Sequence, residues 1–225
     1  MDISITRAKE KFWDKLTQEI SFTSALALDV GCGDGSRSVQ IAKRCRFLNG
    51  IDPDQEAIAL AKRRNITNAS FEVGSIESAR LRADWYDLVF FTLSLHHVAT
   101  ESMVDAINAA IATCKKNGRI VFIEPDHEGS LYEAEVLFSA CDGDERKAKQ
   151  RAEEVILTHP HLRHETLITD ETQFRFRSFQ AFVAEAHPKR NLSHARDFLK
   201  KHEEDGWFVL RAPRKIWVCS PRETA

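Results

Sequence analysis

The chain has 225 residues, 43% hydrophobic and 29% charged, which excludes a disordered polymer and suits one globular domain with an elaboration. Lys and Arg number 32 against 34 Asp and Glu, a net charge of -2. That argues against a nucleic-acid binder, whose phosphate contacts call for a basic excess. No apolar run approaches the roughly 18 residues of a membrane span, and the start, MDISITRAKEKFWDKL, is amphipathic rather than a secretory leader. The five cysteines (Cys32, Cys45, Cys114, Cys141, Cys219) are widely spaced with no C-x-x-C. They argue against a disulfide framework or a structural zinc, and for a reducing cytoplasm.

The first ~20 residues read as a helix, with Phe12, Trp13 and Leu16 on one face. Ala25 to Val30 is a short continuous apolar run, the pattern of a strand buried on both faces. A glycine-rich loop follows (Gly31, Gly33, Gly35), then a helical stretch through Val39, Ile41, Ala42 and Cys45. FLNGI (Phe47 to Ile51) is a second strand, closed by Asp52-Pro53-Asp54, and QEAIALAKRR (Gln55 to Arg64) is strongly helical. ASFEV (Ala69 to Val73) and YDLVFFT (Tyr86 to Thr92) are further strands. Met103 to Lys115 is a helix stopped by Asn117-Gly118, and Arg119 to Ile123 is a fifth strand ended by Glu124-Pro125. This alternation predicts a doubly wound α/β fold whose ligands bind at the carboxyl ends of the strands. Residues ~127 to 205 read as a helix-rich insertion placed to act as a lid. GWFVLRAPRKIWVCS (Gly206 to Ser220) reads as a hairpin about Ala212-Pro213 that closes the sheet.

The glycine loop admits several adenosine ligands. A phosphate-binding loop of the G-x-x-x-x-G-K-[ST] type is excluded, because no lysine follows Gly35. The dinucleotide pattern G-x-G-x-x-G places Ser36 where its third glycine belongs. Asp52 suits any ribose, since a carboxylate grips hydroxyls. Asp29 separates the candidates: it would repel a pyrophosphate and attract an ammonium group.

DVGCGDG (Asp29 to Gly35), GIDPD (Gly50 to Asp54), FEVGSIE (Phe71 to Glu77), YDLVFFTLSLHHV (Tyr86 to Val98) and NGRIVFIEP (Asn117 to Pro125) occur in order, each at a strand end. On these motifs residues ~25 to 125 resemble the class I S-adenosylmethionine-dependent methyltransferases of the small-molecule type. The resemblance implies a Rossmann-like, mostly parallel seven-stranded sheet with a C-terminal antiparallel hairpin and a helical lid. It implies a cofactor-binding core at 1–126, a substrate insertion at 127–205 and a closing hairpin at 206–225. By the same resemblance, Asp29, Gly31, Cys32 and Gly33 line the methionine end of S-adenosylmethionine, Asp52 holds the ribose and Pro53 packs on the adenine. Thr92, Leu93 and Ser94 pass beneath the sulfonium. Many members carry an aspartate where this chain has Ser75, so here the adenine contacts fall to Ser75 and the Ile76 backbone.

His96, His97 and Glu124 are the candidate catalytic residues, because they follow the strands nearest the methyl group and an imidazole titrates near neutrality. His159, His161 and His164 read as solvated rather than metal-binding, so no metal is expected. QFRFRSFQAF (Gln173 to Phe182) reads either as a cationic substrate wall or as the insertion's own core. The fourth motif is not the N/D-P-P-Y of base-amine enzymes and lacks the metal-binding aspartate of catechol-type enzymes. A small-molecule acceptor, with neither nucleic acid nor membrane as partner, is the leading expectation. A silent cofactor sensor, an RNA or protein methyltransferase and a nicotinamide oxidoreductase are the alternatives.

Overall fold

The computed structural model describes the backbone of residues 5–7 and the whole of residues 11–222. The chain order begins β1 (Ile5–Arg7), α1 (Phe12–Glu19), β2 (Leu26–Val30), α2 (Ser38–Ala42), β3 (Phe47–Asp52), α3 (Gln55–Arg63), β4 (Ala69–Val73), β5 (Tyr86–Thr92), α4 (Met103–Thr113) and β6 (Cys114–Pro125). It continues α5 (Ser130–Phe138), α6 (Arg146–Thr158), β7 (Leu162–Phe176), α7 (Phe179–Ala186), α8 (Leu192–Lys200), β8 (Glu203–Glu204) and β9 (Trp207–Pro221). The described residues fall into two compact units. The larger holds residues 12–124, 151–168 and 215–222; the smaller holds 125–150, 169–214 and the described residues before Phe12.

In the larger unit the strands are hydrogen-bonded in the order β7-β9-β6-β5-β2-β3-β4. The pairs β6·β5, β5·β2, β2·β3 and β3·β4 are parallel. The chain runs outward from β2 through β3 to β4, then returns to place β5 on the other flank of β2. A crevice opens at the carboxyl ends of β2 and β5, where the strand order reverses.

Alternation along the central strands fills two apolar layers. Leu88 and Phe90 of β5 and Val121 and Ile123 of β6 join one layer with Phe12, Trp13 and Leu16 of α1 and Ile41 of α2. Val89, Phe91, Ile120 and Phe122 join the opposite layer with Met103, Ala106, Ile107 and Ala110 of α4 and Val155 and Ile156 of α6. The α4 residues recur at the i, i+3, i+4, i+7 spacing of one helix face. Burying one Phe of this kind is worth about 1.5–3 kcal/mol. The smaller unit has its own core: Leu131 and Phe138 of α5, Phe182 of α7, Leu199 of α8, Phe176 of β7 and Leu210 of β9.

The expected elements differ from the structure at four places. Residues 127–205 are not purely helical. They contain the 15-residue β7, whose many charged side chains hide its strand period. Within that interval Arg151–Ile168 belongs to the larger unit. Ala212-Pro213 is no turn, because β9 runs through it. Pro213 lacks only a donor, and its carbonyl accepts from Asp126 N at 2.9 Å. The hairpin turn is Asp205-Gly206, at φ +50° and +72°, between Glu204 and Trp207; Asp-Gly is a strong two-residue turn signal. Asn117-Gly118 lies inside β6, where the pairing with β5 shifts register after Tyr86. Finally, Ile5–Arg7 is a strand antiparallel to β7 rather than helix, and the rest of the segment before Lys11 lies outside the described residues.

Two local contacts give stability predictions. Asp54 caps α3 by accepting from Glu56 N at 2.8 Å and Ala57 N at 3.1 Å. A Cβ at Gly50 would lie 2.5 Å from the Phe71 ring and 3.0 Å from Cys32 Sγ. In urea denaturation, Asp54→Ala is expected to cost about 1 kcal/mol and Gly50→Ala about 1–3 kcal/mol. A Gly50→Ala protein as stable as wild type would contradict the packing of β3 on Phe71.

Candidate functional site

All of the residues that form the site belong to the larger unit. Where β2 ends, Gly31 N and Cys32 N both donate to Ile51 O, at 2.9 and 3.0 Å, so the glycine loop folds over the end of β3. Gly31 has φ +68°, and a Cβ there would lie 2.6 Å from Ser94 Cβ. The loop can therefore cross β5 only as glycine. Ser94 Oγ donates to Val30 O at 2.6 Å and ties the ends of β5 and β2 together. Leu93, just before it, is held at φ +55°, a conformation costly for a non-glycine residue, and its N–H donates to Ile123 O at 2.7 Å.

Asp52 fixes the far side of the loop. Its Oδ2 accepts from Gly33 N at 2.8 Å and its Oδ1 from Asp54 N at 2.9 Å. One carboxylate thus orients the glycine loop and the start of α3, and each oxygen keeps a second lone pair for a ligand. Gly33, at φ +54°, has nothing within 4 Å of where a Cβ would stand.

Asp29 lies behind this loop at 0% exposure. The Ser38 hydroxyl of α2 donates to its Oδ2 at 2.6 Å. Asp29 Oδ1 and the nearby Thr92 Oγ1 are buried without a hydrogen bond of ordinary geometry. Burial raises the Asp29 pKa to about 6, against the opposing pull of Ser38 and, more weakly, Thr92. Burial also pushes the Cys32 thiol well up, helped by the Asp29 and Asp52 charges, so Cys32 is a small loop filler and not a nucleophile.

A single 3-10 turn, Leu95–His97, follows Ser94. Glu124, 2% exposed at the end of β6, accepts from Leu95 N at 3.0 Å through Oε1 and pairs with His96 Nδ1 through Oε2. The His96 and His97 rings lie 4.1 Å apart between centroids. Glu124 and buried His96 thus hold the turn that presents His97.

A cleft of about 780 Å³ opens at this reversal point. Of the expected site residues, Gly31, Asp52, Pro53, Ser75, Ile76, Ser94 and His97 line it. Asp29, Cys32, Gly33, Thr92, Leu93, His96 and Glu124 do not; they form its supports. Val30, Glu77, Val98, Ala99, Ser102 and Asp105 also line it and were not foreseen, nor was Ser38. Val30, Glu77 and Val98 lay within the strand-end motifs, and Ser38 carried a signal as a hydroxyl nine residues beyond Asp29 at the start of the helix. Ser75 Oγ is engaged with Ser78 Oγ at 3.0 Å. The described residues lining the cleft include three carboxylates (Asp52, Glu77, Asp105) and no Lys or Arg. This donor set fits a ligand that carries positive charge and no phosphate.

His159 and His161 have ring centroids 5.9 Å apart. His164 turns elsewhere, with Nε2 to Ile156 O at 3.1 Å and Nδ1 beside Cys219 Sγ at 3.6 Å.

The Asp29 environment makes a pH prediction. Its folded pKa of about 6 stands above the unfolded value of about 3.9. The folded state therefore holds the proton more tightly, and stability falls as pH rises from about 4 to about 6, then levels. Asp29→Asn removes that slope. The variant is expected to gain up to roughly 3 kcal/mol over wild type between pH 4 and 7. Urea melts across that range test it, and parallel curves for the two proteins would contradict the burial assignment.

Comparison with known proteins agrees with this geometry. Residues 27–118 match the model of a methyltransferase domain family. A ubiquinone biosynthesis O-methyltransferase of Coxiella burnetii is 27% identical over 110 residues, 48% of this chain and 46% of that protein. The chain spans 31% to 58% of the length of the curated relatives it matches. A SAM-dependent methyltransferase structure from Methanosarcina mazei superposes with TM-score 0.60 at 15% identity, covering 93% of this chain and 98% of that one. The [4+2]-cyclase SpnF superposes with TM-score 0.59 at 15% identity, covering 95% and 82%. At such identities the superpositions show the fold. Residues 27–118 thus carry a methyltransferase domain, and the superpositions show the fold that S-adenosylmethionine-dependent methyltransferase structures share.

Proposed function

We propose that this protein binds S-adenosylmethionine in the cleft at the ends of β2 and β5 and transfers its methyl group to an oxygen, nitrogen or sulfur of a small molecule. The observation that carries the reading is the charge of the cleft: among the described residues, three carboxylates and one imidazole line it, with no Lys or Arg, beside a glycine loop. A nicotinamide dinucleotide would bring its pyrophosphate into this negative field, whereas S-adenosylmethionine brings an ammonium and a sulfonium.

Asp52, already oriented by Gly33 N and Asp54 N, accepts from the ribose hydroxyls. Gly31 and Gly33 let the ligand approach the loop backbone. Asp29 supplies the charge that favours the ammonium from behind the loop, and that ligand charge would in turn favour ionised Asp29. Pro53, Ser75 and Ile76 take the adenine, and Thr92, Leu93 and Ser94 form the floor near the sulfonium. When bound, the cofactor supplies an electrophilic methyl group. The chain's main task is then alignment of the acceptor, which can contribute several kcal/mol. His97 lines the cleft and is the residue placed to take a proton from an acceptor that arrives protonated. His96 and Glu124 position it. The small-molecule reading rests on the net charge of -2 and the absence of basic lining residues, both unfavourable to a polyanionic acceptor.

Calorimetry with S-adenosylmethionine and NADH is the first test; binding of NADH alone would overturn the proposal. Asp52→Ala is expected to weaken cofactor binding at least about tenfold, in line with roughly 1.5–3 kcal/mol for hydrogen bonds to a charged group. With an acceptor found by screening for S-adenosylhomocysteine release, His97→Asn is expected to lower kcat by about 100-fold or more and leave cofactor affinity unchanged. An unchanged kcat would leave alignment alone as the mechanism. Release only with RNA or protein fractions would overturn the small-molecule reading.

A further inference from the structure

In the smaller unit the β7 and β9 strands turn different chemistry to their two faces. Phe176 and Leu210 lie in its core, with Phe174 and Phe208 packed against it. Strand alternation places Arg175, Arg177 and Trp207 on the other face. The two guanidinium carbons lie 5.4 Å and 3.9 Å from the centroid of the Trp207 ring.

Arg211 of strand β9, in the same unit, shows what a satisfied partner looks like. Arg211 forms a two-pronged pair with Glu204, at 2.7 and 3.0 Å, and its Nε lies 3.5 Å from Glu171. Arg175 and Arg177 have no hydrogen-bonded carboxylate among the described residues. Glu204 feels the Arg175 charge, but its hydrogen bonds go to Arg211. The Arg175 Nε–H is buried with no hydrogen-bond partner among the described residues.

A ring face attracts a guanidinium but does not accept its in-plane N–H groups. The two guanidinium groups thus share one ring and one buried donor is left unmade, an arrangement unfavourable in isolation. One oxyanion resolves the charge. Its oxygens accept from the terminal nitrogens in the fork geometry of arginine, and its charge offsets both guanidinium groups. The Trp207 ring limits the motion of the two side chains, so little freedom is lost on binding.

We propose that Arg175 and Arg177, held over Trp207, form a binding site for a ligand that bears a carboxylate or phosphate group. The site lies wholly in the smaller unit and does not depend on the cofactor reading.

The test uses the full chain and the Trp207 indole N–H resonance, assigned by its loss in Trp207→Phe. Inorganic phosphate and succinate are titrated separately at constant ionic strength set with chloride. At least one is expected to shift the resonance saturably, and the tighter of the two assigns the headgroup. Arg175→Gln and Arg177→Gln are each expected to weaken that binding at least tenfold. Arg177 is exposed, so its variant keeps the fold even if Arg175→Gln does not. Arg82→Gln, which removes an ordinary stack on Trp85 at 3.5 Å, is expected to change nothing. No saturable shift with either anion, or an unchanged affinity in Arg177→Gln, overturns the proposal.

Discussion

The close approach of Gly31 to Ser94 is the contact on which the larger unit's cleft depends. Two parallel strands that leave the sheet in different directions must part at their carboxyl ends, and here the parting is controlled. The Ser94 hydroxyl holds Val30 O, while the space a Cβ would need at Gly31 is already filled by Ser94 itself. The same few ångströms therefore fix the loop, the strained turn at Leu93 and the 3-10 turn that carries His97. Asp52 completes the frame from the other side through Gly33 N and Asp54 N. The cleft is rigid because its walls are bonded to each other across three strand ends.

Electrostatics then sets what such a frame can hold. Asp29 is buried and its pKa is raised to about 6, so its ionised form weakens the fold and is useful only if something nearby favours its charge. An acidic cleft beside it fits that need. Strained or destabilised groups gather where a ligand is to be bound, and Asp29, Leu93 and the buried Thr92 hydroxyl lie within one short stretch of two adjacent strands. The fold itself is compatible with other chemistry, as its likeness to a [4+2]-cyclase shows. What favours methyl transfer is therefore these side chains and not the architecture.

The segment from Gln173 to Phe182 shows how one sequence pattern serves two ends. Its phenylalanines build the core of the smaller unit, and its arginines stack on a tryptophan from another strand. The expectation that this segment forms the unit's own core holds for its phenylalanines, and the arginines lie on the other face because a strand shows successive residues to opposite faces.

The sequence by itself determined the parallel strands, their order of appearance, the glycine loop and the acidic residues at the strand ends. These follow from local rules: apolar runs between turn residues, positive φ at glycine, and a carboxylate where an N-cap is needed, as at Asp54. The residues around the loop could be named because motif spacing is local along the chain. Tertiary structure alone decided which of them face the cleft. Glu124 reads like a residue at the reaction centre, yet its oxygens are engaged by Leu95 N and His96, because β6 ends beside the turn that follows β5. Ser102 and Asp105 carried no signal, since an acid or serine near a helix start is ordinary until neighbouring strands bring it to a cavity. The strand β7 was hidden for a related reason. Its charged, mostly exposed side chains show no apolar period, and only pairing with β1 and β9 makes it a strand. Local sequence sets backbone preference, whereas burial and pairing are properties of residues far apart in the chain.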